Sequence, residues 1–370
     1  MIGFFTPRYI RNGKEMLHAA RKMYHYKRDL LSPSDVSHVE AELARLSGAL
    51  RSRNRAEIES ASQELDRFFG ERIPVPKHPE IQENCEVFLV AIVIALGIRT
   101  FFIQPFTIPT GSMQPTLNGI IATSTETPPP NVLARVVDMI LYGRSYFNVV
   151  SATDDTVRSV RDVTRFVFLT RAEVICDKQR FSIPAPATAV MRTFGIAAGV
   201  PLKAGQVVAR GFVNTGDHVF VNKVAYNFRH PHRGEVFVFN TAGIDKLNIP
   251  GTPSQFYIKR LTGLPGDELR VDPPHLFVNG RLASGAAFER VMAGTPLAPK
   301  DDYKGYGNGP EFLTSPESTY RVPEKHYFAM GDNSYNSSDS RYWGTVPEQN
   351  LVGCGMFVYW PFTKHWGLIR

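Results

Sequence analysis

Between Val36 and Phe68 apolar residues recur at steps of three and four. Val36, Val39, Leu43, Leu46 and Leu50 form one stripe, and Ile58, Ala61, Leu65 and Phe68 form a second. That spacing predicts two helices with one apolar face each, and Asn54 between them can cap the second. The segment 34–70 therefore reads as a helical hairpin, closed by Ile73-Pro74-Val75-Pro76, where proline removes a backbone donor and restricts the residue before it. From Phe106 onward the pattern shortens. Alternating or continuous apolar runs at 218–224, 234–240, 256–261, 267–271, 275–278, 326–330 and 351–359, separated by Gly and Pro turns, predict a mostly β domain. Residues 118–215 are less regular, with a proline run at 128–130, a helix-like Val132–Tyr142 and a strand-like piece at 164–169.

The most apolar stretch is Val87–Ile98, twelve residues without a charge. Twelve is short for a membrane span, which takes about 20 residues, and also suits a buried core helix. Extension to Cys85 and through Ile103 reaches spanning length, with Glu86 and Arg99 placed to reach the interfaces. A cleaved signal peptide is excluded by position, more than eighty residues from Met1. The expected order is a helical region at 1–84, one transmembrane helix at 85–103, a β domain built from 104–117 and 216–370, and an insertion at 118–215.

Charge adds an orientation. The whole chain carries +7, but Pro7–Arg28 alone holds seven basic residues and one acid, Glu15. Arg67, Arg72 and Lys77 precede the apolar helix, whereas 100–134 contains no Lys or Arg, so the N-terminus is expected on the cytoplasmic side. The basic stretch either faces anionic headgroups, with Phe4, Phe5, Met16, Met23 and Tyr24 as interfacial anchors, or is a solvated helix. Three cysteines without C-x-x-C spacing give no zinc or thioredoxin-type motif, and no metal, cofactor or nucleic-acid partner is expected.

Candidate chemistry lies in three segments. The first, Pro109-Thr110-Gly111-Ser112-Met113-Gln114-Pro115, follows the apolar helix directly; its serine needs a base, and no G-x-S-x-G or S-x-x-K motif supplies one. A lysine stripped of water can act as base near neutral pH. Lys259, in the apolar strand pattern Phe256–Leu261, is the candidate. The third, Gly331–Gly344, is dense in short polar side chains; Asp339 and Arg341 there can form a bidentate pair, and its serines can hold an amine from behind.

Together these segments resemble the bacterial type I signal peptidases, membrane-bound Ser/Lys endopeptidases that remove signal peptides from secreted preproteins. Five ordered motifs carry the resemblance: the membrane helix with RTFFIQPF leading into PTGSMQPTL, then GDHVFVNK at 216–223, RGEVFVF at 233–239, YIKRLTGLPGD at 257–267 and the GDN…SSDSRYWG run at 331–344. It implies a β domain of coiled antiparallel sheets resting on the membrane surface. It also implies that Ser112 is the nucleophile and Lys259 the general base, with the Thr110 hydroxyl and the Ser112 N–H forming the oxyanion hole. Ser337 would orient the lysine, with Asp332, Asp339, Ser340 and Arg341 as supports. Ile108, Met113 and Ile258 would wall shallow pockets that prefer Ala-x-Ala.

The chain departs from the pattern in the length of 118–215, in Glu235 where Asp is commoner, in Tyr335 where an acid often stands, and in 1–84, which the resemblance does not explain. A soluble Ser/Lys self-cleaving regulator and a non-catalytic membrane scaffold are the alternative classes. Because 118–215 falls between motifs expected to be close in space, it should leave and rejoin the β core at neighbouring points. Cys176 and Cys354 would share the extracytoplasmic side, where a disulfide can persist.

Overall fold

The computed structural model describes residues 7–72, 79–165, 169–247, 253–294 and 304–369, and its backbone separates into two compact units, 1–93 and 94–370. The linker at 73–76 and the anchors Phe4 and Phe5 lie outside the described residues. In the first unit three helices pack together: α1 (Arg8–Lys27), α2 (Pro33–Ser52) and α3 (Arg55–Arg72). Ser32 caps α2 by accepting from the Asp35 N–H at 3.2 Å, and Asn54 Oδ1 accepts from the Glu57 N–H at the start of α3. The two predicted stripes meet in one core with Val39, Leu46, Ile58, Ala61 and Leu65 buried.

The basic segment is the third member of that bundle. Ala20 and Tyr24 of α1 are buried in the same core, Met16 packs against it, and the Tyr24 hydroxyl donates to Glu40. The bundle therefore uses Met16 and Tyr24 itself, a correction to their reading as lipid anchors. Met23 stays exposed.

Helix α4 (Pro79–Phe101) contains a 19-residue window, Glu83–Phe101, with mean hydropathy 1.8 and no side chain buried by the protein. A core helix of that hydropathy buries one face against its own fold, and this one buries none. The core-helix alternative therefore has no support.

The second unit begins with β1 (Ile103–Thr107) and then leaves for the insertion. There, β2 (Ile121–Ser124), α5 (Val132–Tyr142), β3 (Arg144–Val150), β4 (Asp155–Arg165), β5 (Leu169–Cys176), β6 (Arg180–Ile183), α6 (Ala187–Phe194), β7 (Pro201–Leu202) and β8 (Val207–Asn214) follow in order. They form two small antiparallel sheets, β2-β8-β3 and β6-β5-β4-β7. These sheets bury a core of their own that includes Val157, Val174, Ile183 and Val190. The chain goes out and comes back at one place: Asp217 N donates to Asn118 O at 2.9 Å, and the Asp217 carboxylate accepts from Asn118 N at 2.7 Å.

The remaining strands are β9 (His218–Asn222), β10 (Val236–Asn240), β11 (Phe256–Gly263), β12 (Glu268–Asp272), β13 (His275–Val278), β14 (Arg281–Leu282), β15 (Thr319–Arg321), β16 (His326–Met330), β17 (Val346–Pro347), β18 (Leu351–Trp360) and β19 (Gly367–Leu368). A large antiparallel sheet runs β1-β9-β18-β10-β11-β16-β17, with β19 on β18, and a four-stranded sheet runs β14-β13-β12-β15. The fold class is mainly β, as the pattern predicts, with the curled antiparallel sheets that the resemblance implies. Strand β10 shows why its sequence, Val-Phe-Val-Phe, does not alternate with polar residues. Val236 and Val238 enter one apolar cluster with Ile108, Met113 and Val221; Phe237 and Phe239 enter another with Leu261, Tyr327 and Trp343. Both faces are covered, so both parities are apolar.

Cys176 is buried in the insertion core and Cys354 lies on β18 opposite Phe237; both are free thiols, which answers the pairing that the sequence leaves open.

Candidate active site

Strand β11 lies in the interior of the large sheet, hydrogen-bonded to β10 and β16, and this position takes its side chains out of water. Lys259 is 5% exposed there. Its Nζ donates to Ser112 Oγ at 2.9 Å and to the Ile258 carbonyl at 3.1 Å, and stands 5.5 Å from the Tyr257 ring centroid. Burial holds its pKa down at about 8, against the opposing pull of the carboxylates of Asp339 and Asp332. A buried amine whose lowered pKa leaves about one-tenth of it neutral at pH 7, in hydrogen-bond contact with a hydroxyl, can take that hydroxyl's proton.

Ser112 sits in the short 3-10 turn Gly111–Met113, 6% exposed. Apolar packing anchors the turn from below: Met113, Leu117 and Ile108 are buried with the valines of β9 and β10. The polar run at 331–344 holds it from the side. Asn333 N donates to Ser112 O at 3.0 Å, and Asn333 Nδ2 donates to Gly111 O at 3.2 Å. The Thr110 hydroxyl, on the exposed side, is 3.4 Å from Ser112 Oγ.

Two buried ion pairs fix this frame. Arg341 Nε and Nη2 donate to the two oxygens of Asp339 at 2.8 and 2.7 Å, the predicted bidentate pair, and its remaining donors go to Gly307 O and Ser334 O. Asp339 also accepts from Gly331 N at 2.9 Å, and Ser340 Oγ accepts from Ala329 N at 2.9 Å, so the loop is tied to β16. The second pair is Asp332 with Arg260. Nε and Nη2 of Arg260 each donate to Asp332 at 2.6 Å, Nη1 donates to Gly234 O at 2.5 Å, and Thr116 Oγ1 accepts from Nη2 while donating to Asp332. Both partners are fully buried. Sequence reading named neither Arg260 nor Thr116, although Arg260 follows the lysine directly and an arginine in so apolar a strand calls for a buried carboxylate.

Ser337 is buried and its Oγ makes no hydrogen bond; besides Ser112, Lys259 Nζ donates to the Ile258 carbonyl. Met113 and Ile108 are core residues beneath the turn, and of the three residues expected to wall pockets only Ile258 is partly exposed. Tyr335, where an acid was the commoner residue, is exposed and packs at Gly307.

Close backbone approach explains Gly331. A Cβ there would stand 2.2 Å from Ser337 Oγ and 2.6 Å from Ser112 O. Gly331→Ala should therefore displace the serine turn, destabilising the protein by about 1–3 kcal/mol and reducing hydrolytic turnover. Thermal unfolding with a turnover assay checks this; an alanine variant matching the parent in both refutes the packing account.

The sequence profile of the family described as "Signal peptidase, peptidase S26" matches residues 81–132 and 187–360, more than half of the chain, and the gap between the two matched segments, 133–186, falls inside the insertion. A probable signal peptidase I-2 of Synechocystis sp. is 37% identical over 148 residues, 40% of this chain and 57% of that protein. The signal peptidase I of Pseudomonas fluorescens is 32% identical over 188 residues, 41% of this chain and 62% of its own length. The alignments thus span less than two thirds of these relatives. A crystal structure of a signal peptidase I from Enterococcus faecalis matches at 26% identity over 34% of this chain and 97% of its own, with a TM-score of 0.24. The profile match covers the serine turn, the Lys259 strand and the 331–344 loop, the three segments that meet at the buried Ser112–Lys259 contact, and by that match the chain belongs to the signal peptidase, peptidase S26 family.

Proposed function

We propose that this chain is a membrane-anchored serine endopeptidase that removes N-terminal signal peptides from secreted preproteins through a Ser112/Lys259 dyad. The observation that carries the reading is the 2.9 Å contact between Lys259 Nζ and Ser112 Oγ, with the amine buried and its pKa lowered. The neutral amine takes the Ser112 proton as Oγ attacks the scissile carbonyl, then returns it to the leaving amine. A neutral lysine needs no acidic third partner. Charge developing on the carbonyl oxygen is received by the Ser112 N–H and the Thr110 hydroxyl, donors of a kind each worth about 2.7–4 kcal/mol. Asp332, Asp339, Ser340 and Arg341 keep the frame rigid, so the attack geometry is set before substrate arrives. Ile258, with Ile108 and Met113 behind it, offers a shallow apolar surface suited to small residues of the Ala-x-Ala type.

Anchoring follows from α4, which ends at Phe101, two residues before the start of β1 and eight before Pro109. With the N-terminus cytoplasmic, the site lies at the outer face of a bacterial cytoplasmic membrane, where a signal peptide's own apolar segment presents its cleavage point. Phospholipid and the preprotein are the partners. Protease added outside spheroplasts should digest residues beyond 104 and leave 1–80 intact; digestion of the helical bundle under those conditions overturns the orientation.

The pH dependence tests the base. Because Lys259 must be neutral in the free enzyme, kcat/KM should rise tenfold per pH unit below its pKa of about 8 and level off above it. At pH 6 the value should be about 100-fold below the plateau. A limb centred near the ordinary lysine value of about 10.4 refutes desolvation.

A further inference from the structure

Helix α5 of the insertion carries its amphipathicity inside out. At 100° per residue Val132, Leu133, Val136, Val137, Ile140 and Leu141 fall on one half of the helix, while Ala134 and Asp138 fall on the other. A surface helix ordinarily turns its apolar half to the core. Here the Asp138 side faces β3, where the carboxylate accepts from the Tyr146 hydroxyl at 2.6 Å, and the six apolar residues are 38–75% exposed. Asn131 caps the helix start, and Gly143 ends it in the left-handed conformation at φ 60°, so both ends are defined.

The helix is also fastened to the catalytic sheet. Trp360 Nε1 donates to Ile140 O at 2.7 Å, and Phe362 N donates to Leu141 O at 2.8 Å. The β18–β19 loop adds its own exposed aromatics, Phe362 and Trp366, to the apolar surface. Its distance from the end of α4 follows from strand register. Trp360 pairs with His218, and His218 pairs with Thr107, four residues along β1 from Ile103. Four strand residues and two strand spacings place Trp360 on the order of 17 Å from the start of β1.

We propose that α5, together with Phe362 and Trp366, is a second membrane contact, a helix lying in the interface between phospholipid headgroups and acyl chains with its Val132–Leu141 arc inserted. The inference rests on reading α4 as a membrane span. A bilayer is the occupant because the surface is an exposed apolar helix face with aromatics beside it and lies within lateral reach of the point where the chain leaves the membrane. The role is to hold the catalytic sheet at a set height and tilt over the bilayer, so that Ser112 meets cleavage sites at the membrane surface; α5 is a positioning element and touches no reacting atom.

The test uses the full chain in phosphatidylethanolamine/phosphatidylglycerol vesicles. Leu133→Cys and Ile140→Cys, each combined with Cys85→Ser, carry a bimane label, and the unlabelled-site parent gives the background. Blue-shifted emission, quenched by lipids spin-labelled high on the acyl chain without added preprotein, is the expected result. Water-like unquenched emission overturns the proposal, and so does quenching that appears only with preprotein, which assigns the surface to substrate. In parallel, Leu133→Asp/Ile140→Asp should lower kcat/KM for a vesicle-embedded preprotein by about tenfold and leave a short soluble peptide unaffected. An equal loss on both substrates overturns it. If the parent protein cleaves neither substrate, the peptidase reading fails, while the quenching result still decides lipid contact.

Discussion

Ser112→Ala should abolish preprotein cleavage by about 10⁴-fold or more with the fold intact, since the residue contributes one hydroxyl to a turn held by other groups. Met113, Leu117 and Ile108 pack beneath that turn, and Asn333 binds its backbone, none of them through Ser112 Oγ. Lys259→Met should be equally inactive, and Lys259→Arg should not recover activity because a guanidinium keeps its proton. The lysine variant adds a readout that a serine knockout lacks. Burial displaces the folded-state pKa from 10.5 to about 8, so between these values the native state binds fewer protons than the unfolded chain. Stability of the parent should rise with pH across that window and be lower below about 8. The displacement corresponds to about 3 kcal/mol, which Lys259→Met recovers at pH 7. Turnover by purified Ser112→Ala sinks the nucleophile assignment. Parallel pH–stability curves for the parent and Lys259→Met sink the buried-amine account.

Asp332→Ala should be among the most damaging substitutions away from the reacting pair. It leaves the Arg260 guanidinium in an interior site that lacks its bidentate partner, at a typical cost of about 3–5 kcal/mol, and it releases Thr116 as well. Because Asp332 adjoins Asn333, which holds Ser112, activity should fall along with stability. The physical content lies in the comparison with Arg260→Met/Asp332→Leu. Removing both charges removes the uncompensated one, so the double variant should be more stable than Asp332→Ala, by a margin visible as a Tm several degrees higher. Calorimetry of the single and double variants decides; a double variant as unstable as the single one means that local packing, and not the orphaned charge, sets the loss.

The N-terminal helices were legible in sequence because Val39, Leu46, Ile58 and Leu65 keep a helical period, and period depends on local backbone geometry alone. The strands after 216 were legible for the same reason, and Ser112 and Lys259 were found through motifs and the types of their neighbours. What the pattern left open depended on which faces become covered. Tyr24 and Met16 looked like lipid anchors until α2 and α3 supplied a protein surface for them. Arg260 passed unnoticed because a charged residue in a strand is ordinarily at an edge, and only the β10-β11-β16 order puts it inside with Asp332. That Cys176 and Cys354 are free thiols was likewise decided by the packed chain and not by their position in the sequence. Helix α5 is the reverse case: its sequence predicts a helix with one apolar face, and an isolated helix of that kind is expected to turn that face inward. Tertiary structure placed Asp138 against β3 instead and left the apolar arc outside. A residue's type sets its preference for water or for an interior; which surface satisfies that preference is determined by elements distant in sequence, because burial is a property of the packed chain.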